Sequence, residues 1–478
     1  MSEGPQIGGT SRLLKLPVET FRSIQLWLTV ASLALAPLLF GSVDQLSVAL
    51  WTVLLSATTL IGPAKPVEPA QSRILRIFLG ICAAYASVAL VQVAPGFIGQ
   101  LDDPIWLRVN DLLGLQLPSR ISARAEIPPE AIGHFLLLVT AFASGFFAAT
   151  SRRNSDILFT SAQYAILLYA AYGMAALVLT PNLVLWAPKL AYRGSLTATF
   201  VNHNTAATLV GTGAILWFCS ACLSLQSIRL SSIRLLLLIP SNETIAFKIL
   251  LRSAAGFACF FALLFTGSRG GLIATCLGLF VAIGLMVANR LKPRLGYILG
   301  SGGLAVILIG GWLTQVGRIG SKGLFDDGRW FVYQSCIEAI RQRPLLGTGI
   351  GTFADIFPSL RSAESSGWGI WDYAHSTILE LAVEMGLPIA AMVVIAAAAS
   401  LVILARAALH SQGRSRSALS AITGIAVLTY VHSLIDFSLQ IPGYLIVFAI
   451  LLGGGLARAS AAPVKIDTAR SGEVASAA

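Results

Sequence analysis

Charge is scarce in this sequence: only 12% of its 478 residues are Asp, Glu, Lys or Arg, where soluble domains carry roughly 25%. Hydrophobic residues make up 56% and the mean hydropathy is +0.78. A bilayer core of ~30 Å takes about 20 apolar residues per helix, and the chain offers such runs repeatedly. A soluble core is thereby excluded. Histidine is also sparse, with 5 residues, and no pair of His or His and acid recurs at metal-ligand spacing. Of the 6 cysteines, Cys82, Cys219, Cys222, Cys259 and Cys276 lie in apolar runs and Cys336 in a polar stretch. No disulfide framework is implied. Cys219-x-x-Cys222 has the spacing of a redox or zinc half-motif, but it has no second pair beside it. The net charge of +11 does not indicate a nucleic-acid partner, because Lys and Arg are dispersed in short loops between apolar spans.

The expected fold is therefore all-α: a polytopic transmembrane bundle of about twelve helices, with spans near 24–42, 45–62, 74–94, 131–150, 157–180, 204–226, 249–266, 270–289, 295–314, 387–408, 418–436 and 442–458. The N-terminal stretch carries Arg12, Lys15 and Arg22, and the apolar run after it continues to Phe40. It reads as an uncleaved first helix rather than a signal peptide. Short basic loops such as Arg152-Arg153 and Arg290 to Arg294 fall on one side of the spans. By the positive-inside bias that side is cytoplasmic, and so are both termini. This gives a cytoplasmic segment 1–23, a membrane domain 24–458 and a small, polar, flexible cytoplasmic tail 459–478.

Two outer segments are long, 95–130 and 315–386. The second is expected to be partly helical. From Arg329 to Arg343, Trp330, Tyr333, Ile337 and Ile340 recur at helical spacing, and Pro344 and Gly347 then end the helix. Gly347-x-Gly349-x-Gly351 departs from the nucleotide-binding G-x-G-x-x-G and follows no strand; it reads as a turn between two short helices.

Charged residues are nearly absent from the middles of the spans, where each costs roughly 2.5–3.5 kcal/mol on insertion scales. The polar residues gather at the outer ends, in three places. One is Tyr192-Arg193-Gly194-Ser195 followed by Phe200-Val201-Asn202-His203-Asn204. Another is Thr266-Gly267-Ser268-Arg269-Gly270-Gly271. The third is His375-Ser376-Thr377, leading to Glu380, Glu384 and Gly386. Each precedes a helix running from outside to inside, so three helix N-termini face outward. Free N–H groups and the macrodipole make such ends anion sites, and Arg193 and Arg269 add what a diphosphate needs. Each place also has a plainer reading. Ser268 and Asn204 can be N-caps, and Gly270-Gly271 can serve close helix packing. A terminal Arg can snorkel to headgroups, and His203 can be a cap or a polar contact. His134, His410 and His432 read as structural or interfacial.

Taken together these elements resemble the O-antigen ligase and polymerase superfamily. The resemblance rests on the Gly267 to Gly271 motif and on Phe200, Asn202 and Asn204. It continues through Arg329-Trp330, the Pro344 to Gly351 turn, His375-Ser376 with Gly386 after it, and the late His432 to Pro442 segment. It covers about residues 190–455. Ile389 departs from the Gly, Thr or Tyr common in ligase signatures, which leaves ligase and polymerase both open.

The resemblance implies a bacterial inner-membrane enzyme that moves a glycan from undecaprenyl diphosphate to an acceptor hydroxyl at the periplasmic face. It implies no metal and no other cofactor. Arg269 and Arg193 would hold the diphosphate and His375 would be the general base, with Glu380, Glu384, Asn202, Asn204 and Ser268 in support. The partners are a lipid-linked donor, an acceptor that is another glycan, lipid A-core or a protein, the bilayer, and a flippase and chain-length regulator working beside it. Loop 315–386, with Trp368, Trp371 and Tyr373, would shape the acceptor cleft. The rival from another class is a multi-pass transporter or flippase of lipid-linked glycans; against it, the chain shows no clear internal repeat or midplane ionisable residues.

Overall fold

Apolar runs in hydrocarbon become helices because no water is present to take up their backbone N–H and C=O groups. The computed structural model describes residues 18–63, 65–226, 243–288, 327–361 and 371–461. Within them lie fourteen α-helices: α1 (Val18–Leu35), α2 (Gln45–Ile61), α3 (Pro69–Val93), α4 (Ile105–Leu113), α5 (Pro129–Ala148), α6 (Arg152–Leu179), α7 (His203–Gln226), α8 (Glu243–Thr266), α9 (Arg269–Val287), α10 (Asp327–Gln342), α11 (Phe353–Leu360), α12 (Thr377–His410), α13 (Gly413–His432) and α14 (Pro442–Ala459). Among the described residues the sheet is a two-stranded hairpin, Leu183–Val184 against Ala187–Pro188.

Among the described residues, eight helices are long and apolar enough to cross a membrane: α3, α5, α6, α7, α8, α9, α12 and α14. The chain is thus a polytopic all-α bundle of the multi-pass membrane type. Every expected span meets a helix except 295–314, which lies outside the described residues together with 1–17, 315–326, Trp368 and 462–478. Several helices start five or six residues before their expected spans, α8 at Glu243 among them, and two departures stand out. Helix α1 starts at Val18, six residues early, inside the segment assigned to the N-terminal extension. Helix α12 begins at Thr377 rather than near 387 and carries a non-helical kink at Gly386, with φ 80° and ψ 166°. Hydropathy registers only the part beyond that kink.

Helices that share a lipid solvent gain little from apolar burial against each other and associate through close packing of small residues. Helices α7 and α14 are the most enclosed of the spans. A Cβ on Gly145 of α5 would lie 2.1 Å from the carbonyl oxygen of Ile450 on α14. Gly278 of α9 and Gly424 of α13 face one another in the same way, with added Cβ atoms 2.4 and 2.5 Å from each other's carbonyl oxygens. No side chain fits at those crossings.

Segment 95–130 and the described residues 327–361 and 371–376 form a cap at one end of the bundle. Helix α10 occupies the expected stretch, and only part of the stripe that marks it as a helix is covered. Val332, Cys336 and Ala339 pack with Phe353, Phe357 and Val383, while Trp330 and Ile337 of the expected stripe are exposed. Burial pushes the Cys336 thiol up to about 12, so it behaves as a small apolar group. Segment 95–130 is tied to the rest of this cap by ion pairs Asp103–Arg343 (3.0 Å) and Arg124–Asp355 (2.6 Å). The Gly347–Gly351 turn joins α10 to α11, as its departure from a nucleotide motif implies. It lies along α12 through N–H donations from Thr348 to Val383 O (2.9 Å) and from Gly349 to Glu384 O (3.1 Å).

Candidate functional site

Three helix N-termini meet at one end of the bundle, and local sequence explains each. At α7, the Asn202 side-chain oxygen accepts the Asn204 N–H at 2.8 Å, the bond of an N-cap or Asx turn. At α9, Ser268 is the N-cap and its hydroxyl accepts the Gly271 N–H at 3.1 Å. At α12, Ser376 caps through Leu379 N–H at 3.4 Å. Both plain readings therefore hold for α9: Ser268 caps it, and a Cβ on Gly271 would sit 2.7 Å from Ala207 of α7. Asn204 differs, because its side chain reaches outward from the helix start instead of capping it.

The segment 432–438, at the end of α13, joins the three starts. Asp436 is fully buried; its carboxylate accepts the Asn204 amide at 2.8 Å and the Ser438 hydroxyl. The Thr208 hydroxyl lies 2.7 Å from His432 Nδ1 and 3.1 Å from Ser438 Oγ. Gly270, the second residue of α9, leaves room for the His432 ring, which a Cβ would meet at 3.3 Å. Thr377 of α12 donates its N–H to Ser433 O (2.9 Å) and its hydroxyl to Asp436 O (3.2 Å). The Arg329 guanidinium donates to Ile435 O at 2.8 Å. His432, read from sequence as structural or interfacial, is thus part of a buried polar network at the centre of the site.

His375 sits at the rim with φ +54°, a left-handed conformation that costs a non-glycine residue roughly 1–3 kcal/mol. Its neighbours hold it there. The Tyr333 hydroxyl donates to His375 O at 2.9 Å, and Ala374 N–H donates to the Glu380 carboxylate at 2.7 Å. The imidazole stands edge-on to the rings of Trp371 and Phe437, with centroids 5.4 and 4.8 Å away. Tyr373 stacks on Phe437 at 4.5 Å, and burial with the nearby Glu380, Asp372 and Glu384 charges pushes its hydroxyl up to about 12. Trp371 and Phe437 therefore wall the histidine, with Tyr373 stacked on Phe437.

The two glutamates act on backbone. Glu380 takes Ala374 N–H on one oxygen and the Gln440 amide on the other, at 2.7 and 2.6 Å. Glu384 accepts Phe353 N–H at 3.0 Å, tying the start of α11 to α12. Through these contacts Glu380 fixes the peptide before His375, while Glu384 fixes the glycine turn.

Arg269 opens α9 between Ser268 and Gly270. Arg193 is exposed on the loop above α7 and α8, where its Nε donates to Lys189 O at 3.2 Å. That loop is anchored by Leu196 N–H on Phe265 O (2.9 Å), by Tyr192 stacked on His203 (4.0 Å) and by His203 Nδ1 against Thr266 O (2.7 Å). His203 is accordingly a polar anchor. Lys189 is buried, its ammonium donates to Ser195 O at 2.8 Å, and burial holds its pKa below the usual lysine range.

Sequence reading gave no role to Asp436, Thr208, Tyr333, Gln440 or Lys189, although the His432 to Pro442 segment of the resemblance holds Asp436 and Gln440. The late polar run His432-Ser433-x-x-Asp436 was the available signal for the first of these. Two buried groups at the α7 start, Asn202 Nδ2 and Thr205 Oγ1, have no hydrogen-bond partner among the described residues, a costly state that a ligand would relieve.

Comparison with known proteins bears on the same stretch. No curated protein matches the chain. The O-antigen ligase family model matches residues 254–394, a segment that includes Ser268, Arg269, the glycine turn, His375, Glu380 and Glu384. Over that segment the chain is similar to the O-antigen ligase family, in line with the resemblance read from the sequence.

Proposed function

We propose that this protein transfers a glycan from an undecaprenyl-diphosphate carrier to an acceptor hydroxyl, at the periplasmic face of the bacterial inner membrane and with both termini cytoplasmic. The observation that carries the reading is the meeting of three helix N-termini beside Arg269 and His375, two of them, with both of these residues, within the segment matched by the O-antigen ligase family. Oriented N–H groups and guanidinium groups suit an anion that gains charge as the reaction proceeds.

In this scheme Arg269 and Arg193 hold the diphosphate, with Asn202 Nδ2 as a further donor. His375 takes the acceptor proton as general base. The acceptor oxygen bonds to the anomeric carbon as the bond from that carbon to the phosphate oxygen breaks, and the carrier leaves as its diphosphate. Direct displacement inverts the anomeric centre. The arginines supply the charge stabilisation, so the scheme calls on no metal or other cofactor. Ser268, Asn204, Glu380 and Glu384 act by holding backbone or the Asp436 network. Residues 371–375 and α10 border the acceptor side. The acceptor is a second lipid-linked glycan in a polymerase, or lipid A-core or a protein in a ligase; a flippase and a chain-length regulator would work beside either.

The test is made in liposomes loaded with an undecaprenyl-diphosphate oligosaccharide, without added metal or nucleotide, comparing wild type with His375→Ala. Glycan growth by the wild type alone supports a polymerase. Release of undecaprenyl diphosphate only after lipid A-core is added supports a ligase. Movement of donor across the bilayer with no transfer to any acceptor would refute the enzyme.

A further inference from the structure

The end of the bundle opposite His375 holds a cavity of about 260 Å³ between α6, α7, α8 and α13. It runs from Asp156, near the start of α6, to Gln163 two turns further along, and Arg252 of α8 and Arg414 of α13 also line it. Its remoteness follows from topology. The starts of α6, α8 and α13 and the end of α7 define this end, whereas the site described above uses the start of α7, the ends of α8 and α13, and the starts of α9 and α12.

The charges in the cavity do not cancel. Asp156 is ion-paired with Arg458, a buried guanidinium that also donates to Ser155 and Ser415 hydroxyls at 2.9 and 3.0 Å. That pairing leaves Arg252 and Arg414. Arg252 has one nitrogen on Ser220 O (3.1 Å) and Ser224 Oγ (2.5 Å), which fixes the side chain while its other donors stay available. Arg414 is exposed and makes no hydrogen bond or ion pair among the described residues. Two guanidinium groups in one cavity suit a phosphate. The wall beside them is aromatic: Tyr164 and Trp217 meet edge to face at 5.2 Å, and the Trp217 indole N–H is satisfied by Gln163 O at 3.0 Å. Tyr164 and Leu168, one turn apart on the apolar helix α6, are both exposed. A polar pocket with an apolar track leaving its mouth matches an amphiphile in both parts. Basic pockets between membrane helices are known to take anionic lipid headgroups.

We propose that this cavity binds the phosphate headgroup of an anionic phospholipid in the leaflet opposite His375, between Arg252 and Arg414, with an acyl chain along Tyr164 and Leu168. This is a lipid site separate from the glycan-transfer site.

The experiment uses the full chain in nanodiscs of phosphatidylcholine alone or with phosphatidylglycerol, comparing wild type, Arg252→Gln/Arg414→Gln, and Arg153→Gln as an exposed basic control at the same end. Lipid retained through detergent exchange is measured by mass spectrometry, and the unfolding temperature is recorded. Wild type and the control should retain phosphatidylglycerol and unfold several degrees higher when it is present. The double variant should lose both effects. Should the double variant misfold, Arg414→Gln alone serves, and it should weaken retention several-fold. Equal retention by all variants would overturn the proposal. Inorganic phosphate that raises the unfolding temperature of lipid-stripped wild type as much as phosphatidylglycerol does, with the same arginine dependence, would overturn the lipid assignment in favour of a soluble anion.

Discussion

The Tyr333 hydroxyl bonds to the carbonyl of His375 across 2.9 Å, so a side chain of α10 in the outer cap fixes the backbone of the candidate base on the rim of the bundle. His375 is held at φ +54°, and this bond is one of the contacts that oppose its relaxation. Tyr333→Phe should cost about 1 kcal/mol of stability or less, yet lower turnover several-fold with little change in donor KM. Turnover in proteoliposomes and thermal unfolding check both halves. Unchanged turnover would assign the positioning to Glu380 and Ala374 instead.

His375 itself can be tested without disturbing the fold. Asparagine tolerates the left-handed region better than most residues, so His375→Asn should keep the unfolding temperature while transfer falls about 100-fold or more, the usual scale for a lost general base. Donor binding, followed by retained lipid-linked glycan, should persist. Transfer near the wild-type rate by the Asn variant would remove His375 from the chemistry.

The glycine turn and the α12 kink lock together. A Cβ on Gly347 would lie 2.4 Å from the Glu384 carbonyl, and one on Gly386 would lie 2.2 Å from the Leu345 carbonyl; both glycines have positive φ. Gly347→Ala and Gly386→Ala should each destabilise by roughly 2 kcal/mol or more, since strain and clash add. Gly284→Ala, where a Cβ meets nothing within 4 Å, is the control and should be neutral or mildly stabilising. Detergent-solubilised unfolding temperatures separate the three.

The spans were legible because in a membrane protein hydropathy reports directly on the solvent. Expected spans such as 131–150 and 442–458 coincide with α5 and α14 to within two residues. What hydropathy could not see is structure that stays polar. The first nine residues of α12 carry Glu380 and Glu384 and fall before the kink, so the helix looked ten residues shorter. Which face of α10 is covered was not legible, because Val332, Cys336 and Ala339 also recur at helical spacing and only the neighbouring α11 decides between the stripes. Ser268, Arg269 and His375 were singled out because each stands at or just before a helix start, a local feature. The place of Asp436 was not legible, although its segment was noted, because it depends on Asn204, 232 positions away, being folded against it.

That buried contact carries its own prediction. Asn204→Ala would leave the Asp436 carboxylate short of a donor in a site without water access, and Asp436→Ala would strand Asn204 and Ser438 together. Each single change should lower stability by about 1–3 kcal/mol, and because they share one network the double variant should cost less than the sum. A double-mutant cycle on unfolding free energy measures the coupling. Strict additivity would mean that the network is not a cooperative unit.

Lys189 gives a pH test of the Arg193 loop. Burial lowers the pKa of its ammonium in the folded protein, while an unfolded chain keeps the ordinary value of about 10.4. Below the folded pKa both states hold the proton, and the burial penalty is fully present. As pH rises through the folded pKa the native state gives up its proton while the unfolded state keeps it. The unfolded state then binds more protons, so stability rises with pH up to the unfolded pKa. Lys189→Met should remove that rise and also release the hold on Ser195 O. Because Arg193 hangs on Lys189 O, the looser loop should raise the donor KM more than it lowers kcat. Unfolding temperatures of wild type and Lys189→Met between pH 7 and 10, set beside the KM and kcat of each, decide the matter: parallel pH curves would show that Lys189 contributes no such linkage, and an unchanged KM would detach Arg193 from donor binding.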